Sequence, residues 1–336
     1  MSDPLTIIGG GLAGLGLANG LAQHNVAARI VESSRYPRHR VCGEFLTGLK
    51  PSTLSALGIE SAFNKAIIHN TTAWYANGQH IRTYDLPTPA VGISRFHLDA
   101  SMAESFRQRN GLILTGQRDN GTPGRNKILA MGRRPRKGGL SGLKGHWTNL
   151  PLNADLELHL GRNAYLGLSR VEDGYVNVCG LFPEIATGSF STPLHRFHAT
   201  LTLNGLGYLR SRLGSAELRE GSICAVSGLG YSGPSQNGLG DHSRQIPPFT
   251  GHGMTLALES AEIALPLVRQ FMEKNMSWEE MESSLYRAIS AHGKRRILSA
   301  NFLHGFLMKP QFQAVLATLS RNRILPFAFL YKLTHT

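Results

Sequence analysis

Three glycines, Gly9, Gly11 and Gly14, stand in G-x-G-x-x-G spacing close to the start of a 336-residue chain. Each meets a separate geometric demand: a sharp turn, close approach of backbone to a pyrophosphate, and close packing of a helix on a strand. Leu12 and Ala13 lie between them, where a helix start presents free N–H groups and the positive end of its dipole to an anion. Glu32, followed by Ser33, falls about 20 residues on, where a carboxylate accepts from both ribose hydroxyls and disfavours a 2′-phosphate. The pattern points to a bound dinucleotide, and the bland alternative is a glycine-rich turn that only packs a helix closely. A second cluster lies far along the chain: Gly240-Asp241, then Pro248, Gly251, Gly253 and Met254 within PPFTGHGMTLALESA. Glycines at 251 and 253 let backbone N–H groups approach a flat ring, and a helix starting near Met254 aims its positive end there. The alternative for this stretch is a helix N-terminus with a permissive turn.

The elements that must carry these residues can be read from periodicity. Leu5-Thr6-Ile7-Ile8 is a short buried strand, a helix follows with Leu15, Leu17, Ala18, Leu21 and Ala22 at helical spacing, and residues 26–31 form the next parallel strand, ending at Glu32. A loop then carries Arg40, placed where a cation meets a pyrophosphate oxygen, and Cys42-Gly43-Glu44, beside whatever the dinucleotide carries. The first reading of Cys42 is a small buried thiol rather than a reactive one. Residues 71–75 and 80–84 read as a hairpin around Asn77-Gly78, inserted into the nucleotide-binding sheet. A helix over 98–109 carries the stripe Leu98, Met102, Phe106, and a strand follows at 112–114. The polar, basic stretch 116–142 holds too little apolar sequence for much sheet. Antiparallel strands are expected over 156–160, 164–169 and 174–179, a floor for an apolar substrate. The region 193–213 reads as helical, 223–226 as a last strand of the main sheet, 227–243 as a glycine- and serine-rich loop, and the chain from Trp278 on as helical.

The length suits one large domain or two interleaved ones. The opening MSDPLTII carries Asp3 and no basic segment or cleavage site, and no apolar run reaches the ~18 residues of a membrane span. A cytoplasmic protein is expected. Cys42, Cys179 and Cys224 are too far apart for a metal cluster, so no metal site is predicted. A net charge of +13 admits nucleic acid, an anionic membrane or acidic small molecules as partners. The cations crowd two acid-free stretches: Arg125, Lys127, Arg133, Arg134, Arg136, Lys137 and Lys144, then Lys294, Arg295, Arg296, Lys309, Arg321, Arg323 and Lys332. The bland reading of both is a solvated face.

GGGLAG with Glu32, RVCGEFL over 40–46, SRFHLD over 94–99, and Gly240-Asp241 with PPFTGHGMTLALESA together resemble the FAD-dependent oxidoreductases of the geranylgeranyl reductase and aromatic hydroxylase (group A flavin monooxygenase-like) type. The resemblance covers most of the chain. It implies an α/β fold: a Rossmann-like FAD-binding domain of the GR2 type over 1–70, 90–142 and 220–293, interrupted by an antiparallel substrate sheet over 71–89 and 143–219, with a helical C-terminal tail over 294–336. It also implies FAD as cofactor, bound by Gly9, Gly11, Leu12, Ala13, Gly14, Glu32, Ser33, Arg40, Cys42, Gly43, Arg95, Gly240, Asp241, Pro248, Gly251, Gly253 and Met254. In that family the aspartate of the Gly-Asp pair binds the ribityl chain, and the Pro-x-x-Gly-x-Gly loop passes the flavin ring, whose pyrimidine edge gains negative charge on reduction. Near that ring, by adjacency alone, Glu44 and His252 are the catalytic candidates, with Arg95 beside them. A histidine in such a loop more often orients than donates a proton.

Two features depart from the family. Its members carry an Asp-Gly motif, used for FAD and a passing nicotinamide, where this sequence has only Leu129-Ala130-Met131-Gly132-Arg133, which puts reduction by NAD(P)H in question. The loop ahead of Gly240-Asp241 is also long. The resulting expectation is an FAD-dependent monooxygenase or double-bond reductase acting on an apolar, polyketide- or isoprenoid-like molecule. The alternatives are a flavoprotein reduced by a partner protein, and a non-catalytic dinucleotide-fold protein that binds anionic membrane or nucleic acid through its basic surface. Peripheral membrane contact through the basic tail is a possible partner interaction, and nucleic acid is not expected.

Overall fold

The computed structural model describes residues 4–133, 139–230 and 238–335. Asp3, Arg134, Arg136, Lys137, part of the 227–243 loop and the last residue of the tail lie outside them. Strand β1 (Leu5–Ile8) is almost wholly buried and leads through the glycine turn into α1 (Leu12–Gln23), after which β2 (Ala28–Glu32) lies parallel to β1. α1 is buried from Leu12 to Leu21: a Cβ on Gly16 would lie 3.2 Å from Ala261, and one on Gly20 3.0 Å from Leu265. Its two interior glycines therefore admit a neighbouring helix.

Next come β3 (Phe45–Leu46), α2 (Pro51–Leu57), β4 (Ile67–Ala76) and β5 (Gln79–Gly92). The hairpin turns on Asn77 and Gly78, both at positive φ, and its strands run well beyond the two five-residue segments read from sequence. α3 (Arg95–Gln108) starts where the Ser94 hydroxyl accepts from the His97 N–H, and buries Leu98, Met102 and Phe106. β6 (Leu112–Thr115) and β7 (Lys127–Leu129) complete a parallel sheet of order β6-β2-β1-β7. β7 falls on the apolar residues of an otherwise sheet-poor stretch, and its three residues beside β1 extend the parallel sheet.

β8 (Leu140–Thr148), β9 (Leu156–Gly161), β10 (Ala164–Arg170) and β11 (Val176–Phe182) follow, β9 to β11 as an antiparallel meander with β8 beside β11, and then α4 (Pro193–Leu203), α5 (Leu209–Gly214), β12 (Glu217–Leu218) and β13 (Cys224–Leu229). The 193–213 helix is thus two helices, broken around Gly205 at φ +74. The large sheet has the order β12-β8-β11-β10-β9-β4-β5-β3, and β13 also pairs with β8. This overturns the placement of 223–226 in the main sheet. The position beside β7 is taken instead by Gly238, in parallel register with Leu129, immediately ahead of Gly240-Asp241.

Five helices end the chain: α6 (Gly253–Met272), α7 (Trp278–Ala291), α8 (Lys294–Met308), α9 (Pro310–Arg321) and α10 (Phe327–His335). One core joins α1, α3 and α6 around the parallel sheet, with Leu15, Leu21, Phe106 and Leu258 at its centre. A second lies where α4 and α5 cover one face of the antiparallel sheet, with Trp147 edge-on to Phe197 at 5.1 Å. Alternation along the strands sends Leu158, Tyr165, Cys179 and Leu181 to the opposite face, where Tyr165 and Leu181 share a core with Leu307 of α8 and Ala317 of α9.

Candidate active site

That opposite face forms one side of a cavity of about 1250 Å³, which continues past the N-termini of α1 and α6 to the end of β2. Its volume exceeds the ~300–1,000 Å³ of a site for one small molecule, so it has room for a dinucleotide and a second molecule. Gly9, Gly11, Leu12, Ala13, Glu32, Ser33, Arg40, Cys42, Gly43, Arg95, Gly240, Asp241, Pro248, Gly251, Gly253 and Met254 all line it. Gly14 does not. It lies behind the turn, where a Cβ would sit 2.0 Å from the Gly9 carbonyl oxygen. Gly9 is held at φ +107, and a Cβ there would lie 2.3 Å from the Ala130 oxygen.

Gly11 and Gly253 are different in kind. Gly11 has extended backbone, φ −88 and ψ −173, and a Cβ on it would meet only the Arg95 guanidinium at 3.7 Å. Gly253 opens α6, and a Cβ on it would meet nothing within 4 Å. The polypeptide itself needs glycine at neither position. Both face the cavity, at the starts of the two helices that the sequence assigns to phosphate and ring.

The cations around the first of these starts are held in a network. Arg95 makes a bidentate pair with buried Asp99 at 2.6 and 2.8 Å, and Arg40 reaches Asp99 at 3.2 Å and Glu32 at 3.6 Å. Glu32 accepts from the N–H groups of Gly10 at 2.7 Å and Ser34 at 2.9 Å, and pairs with Arg38. Its carboxylate is therefore fixed beside the turn by the protein's own donors. At the other end, Asp241 pairs with Arg133 at 2.7 Å. The 248–253 loop is stitched to β3: the Thr47 hydroxyl donates to the Thr250 carbonyl at 2.9 Å and lies 2.6 Å from His252 Nδ1, and Gly251 at φ +69 leaves room for the Phe45 ring.

Glu44 and His252, the two catalytic candidates, are fully buried, and neither lines the cavity. His252 orients the loop through Thr47. Glu44 lies 2.6 Å from Lys144 Nζ and 2.6 Å from His146 Nε2, and it accepts from the Arg95 N–H at 2.9 Å. Burial alone would raise its pKa. The Lys144 ammonium and His146 outweigh that and hold the Glu44 carboxyl at about 2. Lys144 and His146 are residues that sequence reasoning missed as a site: Lys144 was counted with a solvated face, yet it has no solvent exposure. The one available signal was alternation, because Lys144 and His146 share a strand face with Gly142. In the register of the sheet Lys144 sits between Cys179 and Cys224, and both of these line the cavity together with Cys42. Burial raises the pKa of all three thiols, so they are protonated and unreactive walls.

Buried histidines set a pH limit on the structure. Burial, with help from His335 and Arg296, pulls His252 down to about 3, and burial pulls His69 and His304 down to about 4. The unfolded imidazoles take up protons near pH 6.5. The stability these groups contribute is therefore complete above about pH 6.5 and is lost as pH falls toward their folded values. The free energy of unfolding should drop between pH 7 and pH 5 by an amount on the order of 1–2 kcal/mol per histidine, lowering the urea midpoint. Equal midpoints at the two pH values would contradict this.

No protein-family model and no curated protein matches this sequence. Solved structures do match along nearly the whole length. HpxO of Klebsiella pneumoniae, in complex with FAD and uric acid, has a TM-score of 0.72 at 15% identity, over 99% of this chain and 97% of that one. The p-nitrophenol 4-monooxygenase PnpA of Pseudomonas putida reaches 0.74 at 13% identity, over 99% and 96%. A geranylgeranyl bacteriochlorophyll reductase-like protein of Thermoplasma acidophilum gives 0.72 at 17% identity, over 98% and 95%. The likeness establishes the fold: a mixed α/β chain with the architecture of FAD-binding monooxygenases and of a geranylgeranyl reductase-like protein.

Proposed function

We propose that this protein is an FAD-dependent oxidoreductase, a monooxygenase or double-bond reductase, acting on an apolar small molecule. The observation that carries the reading is the pair Gly11 and Gly253, two glycines that the backbone does not require and whose absent side chains leave room on one cavity beside two helix N-termini. Backbone that must approach a ligand closely is a reason for glycine where conformation is not. Under this reading the N–H groups at Gly11–Ala13, with Arg40 and Arg95, hold the pyrophosphate. Glu32 and Ser33 hold the ribose, Asp241 the ribityl chain, and the Gly251–Met254 backbone lies against the ring. Bound there, FAD would supply the electron-transfer chemistry. The chain's own part is to place a substrate against it and exclude water. Leu156, Leu158, Leu181, Trp74 and Phe306 line the sheet end of the cavity, and that composition supports an apolar substrate.

The fold's architecture in HpxO, PnpA and the reductase-like protein supports the same class. For the electron donor, we favour a partner protein over NAD(P)H. The segment after β7 has no Asp-Gly, and its Arg133 is committed to Asp241. The test is the visible spectrum of the purified protein, followed by anaerobic addition of NADPH and NADH. Bands at about 370 and 450 nm establish a flavin. Bleaching by a nicotinamide would overturn the partner-donor reading, and a colourless protein that also fails to take up added FAD would overturn the function.

A further inference from the structure

We propose that helices α8–α10 form a docking face for an anionic lipid bilayer. Among the described residues the four most exposed large hydrophobic side chains of the chain are Phe302 at 68%, Ile324 at 66%, and Leu298 and Phe329 at 60%. All four lie on or between these helices, and Val315 and Leu333 add to them. Leu298 and Phe302 are one turn apart on α8, and Phe329 and Leu333 one turn apart on α10, so each pair shares a helix face. Large apolar groups left in water in such density mark an interaction surface.

The charge on the same helices names the occupant. From residue 283 to residue 336 the sequence contains no Asp or Glu, while Lys294, Arg295, Lys309, Arg321 and Arg323 are exposed. A second copy of this chain meeting the face symmetrically would bring cations against cations, which opposes it. Nucleic acid would satisfy the cations and stack on the two phenylalanines, but it offers nothing to Leu298, Val315, Ile324 and Leu333. An anionic bilayer satisfies both, with acyl chains for the apolar tips and headgroup charge for the lysines and arginines. The face lies in the interface rather than spanning it, since among the described residues no helix is long and apolar enough to cross a membrane. The inner sides of these helices, through Leu303, Phe306, Leu316 and Leu330, line the cavity. The proposal does not depend on what the cavity binds.

The full-length protein should co-sediment with phosphatidylcholine vesicles that contain phosphatidylserine, bind vesicles of phosphatidylcholine alone much more weakly, and be released by salt. Replacing the exposed cations Arg295, Arg321 and Arg323 with glutamine should weaken binding about a hundredfold, at about fivefold per cation. Phe302→Ser with Phe329→Ser should abolish binding while circular dichroism stays unchanged. Phe329→Trp should give fluorescence that brominated lipids quench. Absence of binding to the anionic vesicles would overturn the proposal. So would binding that survives the two serine substitutions, or binding confined to double-stranded DNA.

Discussion

Glu44→Ala is expected to lower the free energy of unfolding by about 3–5 kcal/mol, because it leaves a buried ammonium with no counter-charge. Lys144 Nζ lies 2.6 Å from Glu44 with neither side chain exposed. The same substitution orphans the Arg95 N–H and the His146 ring, both now within hydrogen-bond distance of that carboxylate. Glu44→Gln combined with Lys144→Met should recover most of the loss, since a neutral replacement of a buried pair is often close to neutral in stability. The pH dependence tests the same pair a second way. Glu44 is ionised in the folded protein down to about 2, whereas an unfolded glutamate protonates near 4.3. Its contribution is therefore complete above about pH 5 and is lost as pH falls toward 2, and the double variant should lack this part of the acid loss. Urea unfolding at pH 7 and pH 3 measures both quantities. A single variant that loses less than about 1 kcal/mol would mean that water or a shifted side chain already compensates Lys144.

Gly11→Ala and Gly253→Ala should separate ligand binding from folding. Each should weaken FAD binding about 100-fold, equivalent to about 2.8 kcal/mol, while the apo protein keeps its stability within about 1 kcal/mol. At Gly253 the sign for the apo protein can even be favourable, because alanine is the better helix former by up to ~1 kcal/mol. Gly14→Ala is the contrasting case. Its Cβ would lie 2.0 Å from the Gly9 oxygen, so the turn itself must shift, and loss of stability by ~1–3 kcal/mol or more should accompany loss of cofactor. Flavin fluorescence titration beside urea unfolding reads the two effects separately. If Gly11→Ala and Gly253→Ala bind FAD as tightly as the parent, the cavity is not holding a dinucleotide by close backbone approach.

What could be read from sequence was local. The β1-α1-β2 unit was legible because each glycine constraint acts within a few residues, and so were the hairpin at Asn77-Gly78 and the stripe Leu98, Met102, Phe106. What failed was long-range or short. Cys224-Ala225-Val226 is an apolar run with nothing in it to say which sheet it joins, and it pairs with β8. Lys127–Leu129 is three residues long, and nothing local says that it pairs with β1 on one side and Gly238 on the other. The triad of Glu44, Lys144 and His146 joins positions 100 and 102 residues apart, so no spacing rule finds it. A cation in a basic, glycine-rich stretch gives no sign of being buried. The glycines that line the cavity were picked out because a glycine's constraint is the backbone's own, and Asp241, which came from the resemblance, lines the same cavity. Glu44 and His252 were picked by adjacency, which does not reveal whether a side chain faces a cavity or turns away from it.

The interleaving of the two sheets bears on how the chain reaches its native state. The strands β9, β10 and β11 follow one another within 156–182 and pair as neighbours, so their contacts close short loops, while β8 joins beside β11 across a longer one. In the parallel sheet β1 and β2 pair across α1 alone, whereas β6, β7 and Gly238 join them from residues 112–129 and 238, across long stretches of chain. Local pairings form faster than distant ones because less loop entropy must be lost first. The β9–β11 meander is therefore expected to form early as a scaffold, and the parallel sheet around the glycine turn is expected to be completed late. Until Gly238 docks beside β7, the edge of the parallel sheet stays open, and that interval is when a refolding chain is most prone to strand-by-strand aggregation.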